Sequence, residues 1–344
     1  MIDIAYFPHV FDHIVDELYR TRTTETLLTL RPTSSTVQSM VDNKLATHLV
    51  VRGKSGVQIH TRYGHLQLPI SNGRGPRAIP KVQTVDVHHF DHHAVCNFDA
   101  STGFSPCASE DAVAEYVRSV RPAIVRLFDS KSFTSDACGA NTVVHFTEAT
   151  PFFGAGVKVR LVPAARNVIN IRHGDNIGLF EVLWGEGDTC RMCDPPSPLP
   201  PPVPEVVILF TPKDETTDAP PDNPDQKRGL LNSIVVSAIS YLHDNPTARL
   251  VLVGAERWSR HWFQLWPVDT PPDPDLSIQS LWSHVFASYA RMGWTCPPHY
   301  AQKGKCTSLD DEEIARLQER VEFVPEDIYR DRIGEETYRL YTVE

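Results

Sequence analysis

Seven short, apolar and largely β-branched segments recur along the chain and constrain its fold more than any other feature. They are VQTVDV from Val82, AIVRLF from Ala123, TVVHF from Thr142, NVINI from Asn167, EVVILF from Glu205, RLVLVG from Arg249 and VEFV from Val321. Val, Ile and Phe fit a pleated, buried surface, and runs of this length match strands better than helices. Two longer stretches between them, RGLLNSIVVSAISYL from Arg228 and SIQSLWSHVFASYARMG from Ser277, carry helical periodicity instead. Strand, helix, strand in that order predicts an α/β fold. Its sheet should be mainly parallel with helices packed on it, because parallel neighbours need a crossover and strands buried on both faces read as continuous apolar runs.

The starts of these segments are separated by 41, 19, 25, 38, 44 and 72 residues, and none shows an L-x-x-L-x-L pattern. A regular leucine-rich repeat, with its period of ~20 to 29 residues, is therefore not predicted. A degenerate, leucine-rich-repeat-like arrangement and an irregular open α/β domain both fit. Proline punctuates this region: PPSPLPPPVP, residues 195 to 204, has seven prolines in ten, and DAPPDNPDQ and PVDTPPDPD come after it. Polyproline cannot donate to sheet ladders, so these stretches are expected as exposed loops or spacers.

At 344 residues, one large domain with an appendage, or two domains, is expected. No apolar run approaches the ~20 residues of a membrane helix, and acidic residues interrupt the first apolar positions, which argues against a secretory signal. A soluble chain with no membrane partner is expected. The seven cysteines, at 96, 107, 138, 190, 193, 296 and 306, form no compact framework, which suggests free thiols in cytoplasm or nucleus. A net charge of -10 disfavours a nucleic-acid partner. The stretch from Asp310 to Glu344 holds twelve acidic and five basic side chains, the pattern of a solvated helical face or of an acidic docking surface.

The first 48 residues read as three short helices. In FPHVFDHIVDEL, residues 7 to 18, Val10, Phe11, Ile14, Val15 and Leu18 recur at helical steps behind Pro8. TRTTETLLTLR comes next with Leu27, Leu28 and Leu30, Pro32 stops or kinks it, and Ser34 or Ser35 can cap a third helix carrying Val37, Met40, Val41 and Leu45. So small a unit buries little area, so it should lean on the next segment of the chain or on a partner. Beyond it, HLVVRGKSGVQIHTRYGHLQLPI alternates at period two and predicts strands around His48 to Val51, Val57 to His60 and Leu66 to Leu68.

The proline-led first helix, the LLTLR second helix and the Ser-rich junction into a third resemble an F-box, the helical module that docks a Skp-type adaptor in cullin-based ubiquitin ligases. The match covers about residues 5 to 50. It is closest to degenerate F-box-like segments of fungal proteins, and the closing FVPEDIYRDRIGEETYRLYTVE resembles the end of such proteins. The resemblance implies a non-enzymatic substrate receptor that holds an unidentified protein client near the ligase. Its partner-binding residues would be Phe7, Pro8, Val10, Phe11, Ile14, Val15, Leu18, Leu27, Leu28 and Leu30. A scaffold protein whose F-box-like helices cap its own sheet is the alternative reading, and a metal-binding or enzymatic α/β protein the third.

Chemical motifs give that third reading little. VHHFDHHAVC places His88, His89, Asp91, His92, His93 and Cys96 within nine residues; on a helix His88 and His92 would share a face, but the segment before it reads as a strand. Cys190 and Cys193 have the spacing of half a zinc site, without a second C-x-x-C near Cys296, His299 and Cys306. GAGVKV, from Gly154, has two glycines where a dinucleotide-binding turn needs three. No catalytic residue, metal site or cofactor is expected. The organisation expected is an F-box-like helical module over 1–50, a hairpin or connecting region over 51–80, and an irregular α/β domain over 81–344 with Pro-rich loops near 195–226 and 267–275.

Overall fold

The structure is a computed structural model that describes residues 8–21, 24–53, 57–61, 67–69, 82–90, 117–128, 139–147, 157–172, 180–183, 203–211, 230–257, 275–293 and 308–342. The chain divides into two compact units, Met1–Arg126 with Ala137–Asn141, and Leu127–Asp136 with Thr142–Glu344.

The first unit opens with helices α1 (Pro8–Arg20), α2 (Thr24–Leu30) and α3 (Ser35–Leu45). Pro32 lies in a 3-10 turn, Arg31–Thr33, which ends α2. Ser34 then caps α3: its Oγ accepts from the Val37 amide at 3.2 Å, satisfying one of the donors a helix start leaves open. Strands β1 (His48–Gly53), β2 (Val57–Thr61), β3 (Gln67–Pro69), β4 (Thr84–Phe90) and β5 (Ile124–Phe128) come next, in the order β5-β4-β1-β2-β3. β1 pairs antiparallel with β2 and parallel with β4, so one strand serves both the hairpin and the sheet. The last two residues of β5, Leu127 and Phe128, belong to the second unit.

The second unit is an α/β layer of β6 (Thr142–Thr147), β8 (Arg166–Arg172), β10 (Glu205–Thr211), β11 (Arg249–Val253) and β12 (Val321–Val324), adjacent in that order and parallel throughout. β7 (Val157–Arg160) and β9 (Phe180–Leu183) form a separate two-stranded parallel sheet. Because each of the five strands is added beside its predecessor, this layer has no point where strand order reverses, the position at which doubly wound sheets usually bind ligands.

One face of the layer is covered by α4 (Leu230–Asp244), α5 (Ile278–Arg291) and α6 (Asp311–Gln318). Alternate strand residues point toward them: Ile169, Ile171, Val206, Ile208, Phe210, Leu250 and Leu252 share a core with Ile239, Leu242, Trp282, Phe286 and Ile314. Trp282, 1% exposed, meets Phe323 edge-on at 6.2 Å. Arg320 closes the end of α4 from far along the chain, donating to the Leu242 carbonyl in its last turn and to the carbonyls of Asn245 and Ala248 in the turn that follows. Asp310 and Glu313 start α6 with a reciprocal capping box. After β12 come α7 (Glu326–Ile333) and α8 (Glu335–Thr342), which bury Tyr329, Tyr338 and Tyr341 and tie back to β8, where Asn170 Nδ2 donates to the Tyr341 carbonyl at 2.8 Å.

Candidate functional site

Periodicity divides the residues of the N-terminal helices between an interior and a surface. Phe11, Val15 and Leu18 run along one line of α1 and meet Leu27, Leu28 and Leu30 of α2 and Val37, Met40, Val41 and Leu45 of α3 in a single cluster. Val15 is 3% exposed, and Leu27, Val37, Val41 and Leu45 are fully enclosed. Val10 and Ile14 stand one step around α1 from that line; Val10 is half-buried and Ile14 is 38% exposed. Phe7 lies outside the described residues, as does the side chain of Pro8, whose backbone starts α1. Among the described residues this cluster draws only on positions 11 to 45.

Polar contacts lock the same helices. Lys44 Nζ reaches Asp16 at 2.6 Å and lies 5.4 Å from the Tyr19 ring, fixing α3 to α1. Arg31 pairs with Asp42 through two nitrogens at 2.6 and 3.1 Å. The surface of α1 is thus held at a set angle, with Ile14 flanked by His13 and by Asp16 and Glu17.

Two histidines are buried, and each is held by a polar partner on a neighbouring strand. In the first unit His48 Nε2 stands 2.8 Å from Asp86 Oδ1, while Arg126 Nη1 approaches Asp86 Oδ2 at 3.4 Å. These residues, on β1, β4 and β5, are 3%, 6% and 1% exposed, so the group places opposite charges together inside the sheet. In the second unit His145, fully enclosed, bonds Asn167 Oδ1 through Nε2 at 2.9 Å. The Asn167 amide is oriented by Val162, whose N–H donates to Oδ1 and whose carbonyl accepts from Nδ2, so Nε2 of His145 must carry the proton.

Burial pushes the His145 pKa down to about 4, against a smaller opposite pull from the Asn167 hydrogen bond. The folded state therefore resists a proton that the unfolded chain accepts below about pH 6.5, and stability should fall as pH drops through that value toward 4. Between pH 6.5 and 5, above the main carboxylate range, the loss attributable to this group is roughly 2 kcal/mol. Urea unfolding across that window should show it, and His145→Gln should flatten it; an unchanged slope in that variant would assign the dependence elsewhere.

Sequence reading missed the charged row on the other face of the second unit. Arg166, Glu205 and Arg249 open β8, β10 and β11 and stand in register, Arg166 opposite Glu205 and Glu205 opposite Arg249. Arg166 pairs with Glu205, while Glu322 of β12 receives Arg249 on one oxygen at 2.7 Å and Arg332 of α7 on the other at 2.8 Å. The flanking guanidinium groups hold the Glu322 carboxyl below its ordinary pKa. These side chains, with Val251, Tyr329, Ile333 and Thr337, line a pocket of about 370 Å³. The available signal was a charge opening successive apolar segments, as in EVVILF and RLVLVG, but only register shows that such charges meet.

The remaining motifs are placed by their backbone. His88 and His89 lie on β4, so the helical pairing with His92 and His93 does not apply to them. Lys158 and its neighbours in GAGVKV enter β7, and residues 157–172 run from strand to strand with no helix, whereas a dinucleotide turn leads into one. His92, His93, Cys96, Cys190, Cys193, Cys296, His299 and Cys306 lie outside the described residues, as do the proline-rich positions 195–202, 218–226 and 267–274. Among the described residues no three His, Cys, Asp or Glu side chains gather as a metal site, and no helix is long and apolar enough to cross a membrane. No family model, curated protein or solved structure matches the chain.

Proposed function

We propose that the chain is a non-enzymatic F-box-like adaptor of the fungal type, acting in cytoplasm or nucleus. Its N-terminal helices would engage a Skp-type adaptor, and the α/β remainder would present a protein client to a cullin-based ubiquitin ligase. The observation that carries this reading is the split of α1: Val15 is enclosed while its neighbour Ile14 is 38% exposed, with Val10 half-buried one turn before it. A helix that only served its own core would have no use for the second apolar line. Strands added in chain order also suit a degenerate, leucine-rich-repeat-like client platform. The mechanism is proximity, since tethering raises the client's effective concentration without any bond being made by this chain.

The alternative, a scaffold with its helices used internally, draws on the depth at which Val15 and Leu27 are buried. Ile14→Ala in the full chain separates the two. The adaptor reading expects a near-native unfolding midpoint and at least tenfold weaker co-purification of a Skp-type adaptor, as for residues central to an interface. Failure of the unsubstituted protein to recover adaptor where a control F-box protein does would favour the scaffold.

A further inference from the structure

The pocket beneath α7 and α8 combines three features that belong to a ligand site. Its charges do not balance: Arg166, Arg249 and Arg332 face only Glu205 and Glu322, leaving one positive charge in a chain whose net charge is -10. Arg249 and Arg332 each hold Glu322 through a single Nη2, so each keeps further N–H donors in a planar fork suited to an oxyanion. Tyr329, which also lines the pocket, is 2% exposed, and its hydroxyl has no hydrogen-bond partner among the described residues. An unsatisfied buried hydroxyl forfeits hydrogen-bond energy unless something supplies the acceptor.

We propose that this pocket binds a small organic oxyanion, a carboxylate or a phosphate monoester. Its charge is received by Arg249, Arg332 and the Tyr329 hydroxyl, and its apolar body rests against Val251 and Ile333. Burial raises the Tyr329 pKa further above neutrality, which keeps the phenol protonated and able to donate. A pocket of about 370 Å³ is at the small end of ligand cavities and fits one aromatic ring with its acidic group. The site sits at the amino-terminal ends of parallel strands, away from the carboxyl ends where α/β enzymes place their chemistry, so the ligand is read as bound and not transformed. The pocket would bind its anion whether or not the N-terminal helices engage an adaptor.

Titration calorimetry on the full chain at low chloride, with benzoate, phenyl phosphate and inorganic phosphate as probes, tests it. One organic anion should bind at a single site with sub-millimolar affinity, and whichever binds more tightly identifies carboxylate or phosphate; inorganic phosphate should bind more weakly. Tyr329→Phe should weaken that binding about tenfold, the loss expected of one hydrogen bond to a charged group, without lowering the unfolding midpoint, because the hydroxyl it removes has no partner among the described residues. Arg332→Gln should weaken it at least as much. The proposal is overturned if neither organic anion binds at millimolar concentration, if inorganic phosphate matches phenyl phosphate, if Tyr329→Phe leaves affinity unchanged, or if Tyr329→Phe lowers the midpoint.

Discussion

Asp86→Ala should destabilise the first unit by about 3 to 5 kcal/mol, the range found when one partner of a buried ionic group is removed. The carboxylate is 6% exposed and faces both His48 and Arg126, and Arg126 is itself 1% exposed. Alanine would remove a buried negative charge from beside that guanidinium, so part of the cost of holding Arg126 away from water is no longer offset. Urea unfolding of the variant beside Asp86→Asn checks the origin of the effect. Asparagine retains an acceptor, so a loss almost as large from Asn would point to charge, and a much smaller one to hydrogen bonding. A shift under about 1 kcal/mol for Ala would contradict the buried ion group.

Leu27→Ala should be nearly as damaging and should act on the helices alone. Leu27 is completely enclosed between α1, α2 and α3, and removing most of a buried leucine costs about 2 to 5 kcal/mol through lost transfer energy and the cavity left behind. Since the helical cluster is built from residues 11 to 45 among the described residues, the loss should appear as early melting of these helices with the α/β layer still folded. Amide hydrogen exchange resolves the two regions. Equal loss of protection throughout would mean that the helices and the rest unfold as one cooperative body.

Much of this architecture is written in local sequence. The seven apolar segments became β4, β5, β6, β8, β10, β11 and β12; most are buried on both faces and so have few polar positions to obscure them, while the partly buried edge strand β12 was legible from VEFV alone. Ser34 and Pro32 marked the start of α3 and the end of α2 through their own backbone chemistry. VKVR and FEVL did not declare β7 and β9, being four residues long and interrupted by Lys158 and Glu181. Helices α7 and α8 escaped as a core element because their buried residues are tyrosines, Tyr329, Tyr338 and Tyr341, set among charges that read as a solvated face. The pocket was beyond reach for a different reason: Arg166, Glu205 and Arg249 are far apart in the chain and meet only through the register of three parallel strands.

The N-terminal site shows the same boundary. One helical period marks an apolar stripe, and the same period serves a residue in a core and one in an interface. Val15 and Ile14 are adjacent in sequence and similar in chemistry; only the packing of α2 and α3 against one side of α1 distinguishes them. The central claim is that the exposed side of α1 has an external partner. Amide hydrogen exchange of the full chain, alone and mixed with a purified Skp-type adaptor, tests it most directly. The account predicts a one-to-one complex in which residues 8–20 gain protection while the α4–α6 layer is unchanged; a chain that forms no complex, or a complex that leaves α1 exchanging as in the free protein, would contradict it.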